Sequence, residues 1–140
     1  YSFRIKSISK ALNNLIKCYN SNLEYSIATR ILIDSTLKYP NYIGGTKSFD
    51  TKVIDSSKSK IFCKHGAEGV FLFAHLKKGI SGVVKVTDGN ERAIPITIIN
   101  IFKKLKLMNK SELKNLQRKE ESYLKNHAEK KIGYINSKII

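Results

Sequence analysis

Apolar residues recur at three- and four-residue steps at Ile5, Ile8, Leu12, Leu15, Ile16 and Tyr19, a spacing that predicts a first helix with one buried face. Asn20-Ser21-Asn22 ends it. A second helical pattern runs through Ile27, Ile31 and Leu32 and closes before Pro40, because a residue preceding proline avoids the helical region. Gly44-Gly45 marks a loop. Three short apolar runs follow: Lys60 to Lys64, Val70 to Leu76 and Ile80 to Thr87. Gly66 to Gly69 and Lys77-Lys78-Gly79 separate them, and together they predict an antiparallel meander. Asp88-Gly89-Asn90-Glu91 closes the last strand and caps a helix carrying Ala93, Ile94, Ile98, Ile101, Phe102 and Leu105. Pro95 falls in the early turns of that helix, where a missing amide donor is tolerated. Positions 111–125 carry a further amphipathic pattern through Leu113, Leu116 and Leu124, opened by Ser111, with charge on the outer side. Ile132 to Ile140 contains Gly133 and predicts a terminal strand or extended arm. Three consecutive antiparallel strands between helices make the expected fold class α+β, an antiparallel sheet with flanking helices. So small a sheet beside so many helices suits part of a larger domain.

Composition narrows the class. With 140 residues at 41% hydrophobic, the chain can build one domain with a modest core and lacks the marks of disorder or collagen. No stretch approaches the roughly 20 apolar residues that span a bilayer, and Phe3-Arg4-Ile5-Lys6 is no signal core, so a soluble, cytoplasmic protein with no membrane partner is expected. Tyr1 is not an initiator methionine, which fits a missing upstream portion. Cys18 and Cys63 are far apart and outside any metal-type pair, pointing to free thiols in a reducing compartment. A net charge of +15 attracts polyanions. Lysine nevertheless outnumbers arginine 22 to 4, and the lysines are spread along the chain without interleaved stacking platforms, so no specific nucleic-acid partner is expected.

The candidate chemistry lies in Lys60-Ile61-Phe62-Cys63-Lys64-His65-Gly66-Ala67-Glu68-Gly69-Val70, an apolar strand that runs into a lysine and a glycine-flanked turn. Two readings of Lys64 stand: a surface lysine at a strand end, or an amine at the sheet edge that exchanges protons with a nucleophile. Strand alternation sends Cys63 to the opposite face, into the core. Ser56, Ser57 and Ser59 precede the lysine, but a strand separates Ser57 from Lys64, so an internal serine–lysine dyad is not expected. His65, His75 and His127 share no metal-ligand spacing, and Glu68 reads as a turn residue that bonds nearby amides. Arg92 pairs with Asp88 or Glu91 near the helix start.

Gly45, Phe49-Asp50-Thr51, Lys64-x-Gly66-Ala67-Glu68-Gly69-Val70, Asp88-Gly89, Arg92-Ala93, Asn126 and Ile132-Gly133 form an ordered set that resembles the C-terminal part of the L-asparaginase II family, the thermolabile Rhizobium-type class. On this resemblance, residues 1–140 are the C-terminal part of a single asparaginase II-like domain. The implied fold is a partial version of that of serine β-lactamases and penicillin-binding proteins. The implied reaction is hydrolysis of L-asparagine to aspartate and ammonia, with a serine nucleophile and lysines moving its proton. Lys64 matches the catalytic strand lysine, Asp50 the aspartate beside the substrate pocket, where it orients the substrate or a neighbouring polar group, and Gly66 a position where backbone passes close to substrate. Ser48 stands where the family carries arginine. The serine-x-x-lysine element, the second serine and the family zinc ligands fall upstream, so this chain is expected to hold no cofactor and to be inactive alone. It would accept L-asparagine only when completed by an N-terminal half, and homo-oligomers are possible. The alternatives are a non-catalytic basic binding protein, toward nucleic acid or an acidic partner, and a decayed remnant.

Overall fold

A computed structural model describes residues 3–22, 24–118 and 123–139. The central sheet is the expected meander: β1 (Ile61–Gly66), β2 (Val70–His75) and β3 (Ile80–Lys85), all antiparallel in that spatial order. Its register pairs Lys64 with Leu72 and Gly66 with Val70, then Phe73 with Gly82. Gly82 has a packing reason, since a Cβ there would stand 2.5 Å from the Phe73 ring.

Side-chain alternation splits the core in two. Ile61, Cys63, Phe71 and Phe73 face one side, where they meet Val53 and Ile54 of α4 (Phe49–Ser56), Ile94, Ile98 and Phe102 of α5 (Ile94–Lys104), and Leu116 of α6 (Lys110–Arg118). Phe62, Ala74 and Leu76 lie on the other side, under Leu12 and Ile16 of α1 (Ile5–Tyr19) and Ile33 of α2 (Ser26–Lys38). Both faces of the sheet are therefore covered by helices of this chain, and the fold is α+β.

Four elements differ from expectation. Helix α2 exists where predicted, but Ile27, Ile31 and Leu32 are 69%, 64% and 53% exposed. Its inner face is instead Ser26, Thr29, Ile33 and Thr36. Helix α3 (Asn41–Gly44) and helix α4 occupy a stretch that carried no helical expectation. Ser48 supplies the N-cap of α4 and Asp50 the acid of its first turn. Of the expected helix over 111–125, the described part is helical through Arg118, 119–122 fall outside the described residues, and Tyr123–Lys125 is strand β4, paired antiparallel with β5 (Lys131–Tyr134). Helix α6 opens on Asn109, not Ser111: Asn109 Oδ1 accepts from Glu112 N at 2.9 Å while Glu112 Oε2 accepts from Asn109 N at 3.0 Å. This is a reciprocal capping box. Tyr1, Ser2 and Ile140 also fall outside the described residues.

The three-residue helical turn Glu91–Ala93 leads into α5, its first turn capped by Asn90, whose side chain accepts from Arg92 N at 3.0 Å. After β5 the chain runs extended along α5, where Asn100 Nδ2 donates to Ser137 O at 3.1 Å. No described helix is long and apolar enough to cross a membrane.

Candidate active site

The site grows from the contact of α4 with the outer edge of β1. Among the described residues strand β1 has only β2 as a neighbour, so its other edge needs partners for its backbone amides. Asp50 supplies one: its Oδ2 accepts from His65 N at 3.3 Å. Its Oδ1 accepts from Thr51 N at 3.0 Å and from the Ser48 hydroxyl. The Asp50 side chain is 1% exposed, and Lys64 Nζ lies 3.6 Å from Oδ2. Burial alone would raise this carboxyl, but the hydrogen bonds from Ser48, His65 and Thr51 and the charge of Lys64 outweigh it and hold the group below its ordinary value.

Lys64 is anchored on two sides at the strand end. Its amine donates to His65 O at 2.6 Å and faces the Asp50 carboxylate while its side chain remains 44% exposed. Its stem borders an apolar groove of about 460 Å³ between β1 and α1, walled by Ile8, Leu12, Leu15 and Phe62. An ammonium fixed by a buried carboxylate and half-open to solvent can donate a proton, and accepts one only after it has given that proton up. Among the described residues, its polar contacts are Asp50 and the His65 carbonyl, with no serine hydroxyl.

Gly66 ends β1 one pair from the turn, and a Cβ built there meets only Val70 Cβ, at 3.9 Å. Its surroundings within this chain are open. Gly44 is different: a Cβ would fall 2.2 Å from Asp50 Oδ1 and 2.6 Å from Ser48 Oγ. The close approach of this backbone to the carboxylate requires glycine. Neither Gly44 nor the role of Ser48 is apparent from sequence spacing alone, although Ser48 followed by Asp50 is a helix-start signal.

The remaining candidates fall into structural roles or stand apart. Ser57 is buried, donating to Ile54 O at 3.0 Å and accepting from Ile61 N at 3.4 Å, which ties the end of α4 to β1. Cys63 is fully buried, and burial pushes its thiol well above the ordinary value, with Asp50 adding to the rise. Arg92 pairs with Asp88 at 3.3 Å. His65 Nε2 approaches Glu91 Oε1 to 3.0 Å without the alignment of a hydrogen bond. His75 Nδ1 accepts from Lys78 N at 3.3 Å. No group of three His, Cys, Asp or Glu among the described residues is arranged to hold a metal ion, and the sealed Cys63 thiol is a poor donor.

A model of the L-asparaginase II family matches residues 1–137 of the chain. The curated proteins contain no match.

Proposed function

The chain belongs to the L-asparaginase II family, and from that premise we propose that it contributes the lysine-bearing wall of an amidohydrolase site that releases ammonia from L-asparagine. The observation that supports this reading is the Lys64–Asp50 pair at 3.6 Å, at the edge of β1. In this reading the Lys64 ammonium gives its proton to the departing ammonia and regains one from a serine nucleophile that reaches it from polypeptide outside these 140 residues. Asp50, whose oxygens are engaged by protein donors, orients the Lys64 amine and not the substrate. Gly66 leaves room for the substrate amide at the end of β1. The groove of Ile8, Leu12 and Phe62 beside the amine excludes water from one side of the reaction.

The test is ammonia release with L-asparagine, measured for the 140-residue chain alone and mixed with a polypeptide supplying the family serine-x-x-lysine region. The chain alone is expected to be inactive, because a nucleophilic mechanism without its serine loses many orders of magnitude in rate. The mixture is expected to turn over, and Lys64→Ala to abolish that turnover. Activity of the chain alone, or of the mixture carrying Lys64→Ala, overturns the proposal. So does an inactive mixture whose two parts demonstrably bind each other.

A further inference from the structure

A second cleft lies across β1 from the Lys64 groove, because consecutive strand residues point to opposite faces. It encloses about 390 Å³, within the range of small-ligand sites. Lys47, Ser48, His65 and Glu91 surround it, over a floor that includes Phe49 and Pro95. Lys52 also borders it. The first turns of α4 and α5 reach the same space and add the positive ends of their dipoles.

His65 is the informative residue. Its Nε2 is shielded from solvent and has no aligned hydrogen-bond acceptor among the described residues, which is an unusual condition for a buried polar atom. The nearest anion is Glu91, whose carboxylate sits 3.0 Å away but out of line, on a side chain that is 60% exposed. Such an exposed and misaligned contact is worth little and gives way easily. Glu91 thus stands where a better-placed acceptor belongs.

We propose that this cleft binds a small carboxylate-bearing molecule. Its carboxylate replaces that of Glu91 at His65 Nε2 and is further held by Lys47, while its apolar part lies on Phe49 and Pro95. The site is independent of Lys64 chemistry, although it touches the same support, since Ser48 and the His65 backbone both bond Asp50.

Benzoate titrated into the 140-residue chain at constant ionic strength, followed by the imidazole NMR signals of its three histidines, tests the proposal. His65 is expected to shift saturably while His75 and His127 stay still, and benzamide, equal in shape but uncharged, is expected to have no effect. Glu91→Gln removes the competing anion and is expected to tighten benzoate about threefold, the scale of an exposed ion pair. His65→Asn and Lys47→Ala are each expected to weaken it. An unsaturable response, equal shifts from benzamide, parallel shifts of all three histidines or unchanged affinity in Glu91→Gln would each overturn the site. Circular dichroism of the Glu91→Gln and Lys47→Ala variants, both altered at the surface, confirms that the comparison is made on folded protein.

Discussion

Asp50 is the residue on which most of the site converges. Replacing it with asparagine leaves donors from Ser48, Thr51, His65 and Lys64 facing a neutral amide, and a loss of about 1–3 kcal/mol in stability is expected by denaturant unfolding. Gly44→Ala forces a methyl group into the same carboxylate and is expected to cost about as much, from overpacking, on about the scale of 1–3 kcal/mol. The two losses should not add, because both act on one contact. At this scale the sequence was only partly legible. Lys64 and Asp50 could be picked out by resemblance, but their 3.6 Å approach depends on how α4 meets the edge of β1. Neither residue type nor spacing encodes that approach. Gly44 was read as loop punctuation, whereas its real constraint is a non-local neighbour.

Helices and strands were more legible, with failures that share a cause. Period-two and period-3.6 patterns located α1, the meander and α5, because each buries a continuous apolar face. Helix α2 shows the limit: isoleucines at 27 and 31 mark a face that stays exposed, while Ser26, Thr29 and Thr36 sit inward beside Ile33. Thr29 and Thr36 can be buried because their hydroxyls bond the carbonyls of Tyr25 and Leu32 one turn back, at 2.8 and 2.9 Å. The two faces are separable by experiment. Ile33→Ala is expected to cost about 2–5 kcal/mol, and Ile31→Lys to change stability by less than about 0.5 kcal/mol. Asn109→Ala breaks the α6 capping box and is expected to cost about 1 kcal/mol, in thermal or denaturant unfolding. The short α4 leaves little mark on the sequence, because eight residues carry barely two turns of periodicity.

For the whole molecule, acid sensitivity follows from three groups. Burial, with Lys78 and Lys60 adding to it, holds His75 below its ordinary 6.5. The unfolded chain therefore binds that proton first, and stability should begin to fall as pH drops below about 6.5. Asp50 and Glu112 are both held below their ordinary values of 3.8 and 4.5, against burial, by their hydrogen-bond and lysine partners. Their contribution is complete above those ordinary values and is lost as pH falls through the lower folded ones. Unfolding midpoints measured from pH 8 to pH 3 should show both stages, and His75→Asn, which keeps an acceptor for Lys78 N, should remove only the first. Both sheet faces are covered, so the exposed apolar stripe of α2 with Tyr25 is the surface that favours self-association. Sedimentation is expected to show self-association that Ile27→Lys with Ile31→Lys reduces, whereas any DNA binding that merely reports the +15 charge should vanish with added salt regardless of sequence.

The grip of Asp50 and the His65 carbonyl on one amine has a consequence for chemical labelling. An acylating reagent must wait for the nitrogen to leave both oxygens, so Lys64 should be modified late among the lysines despite its half-open side chain. Lys60, clasped by the buried Glu112, should lag as well. Peptide mapping after brief acetylation would rank them, and Asp50→Asn should hasten the first and leave the second slow.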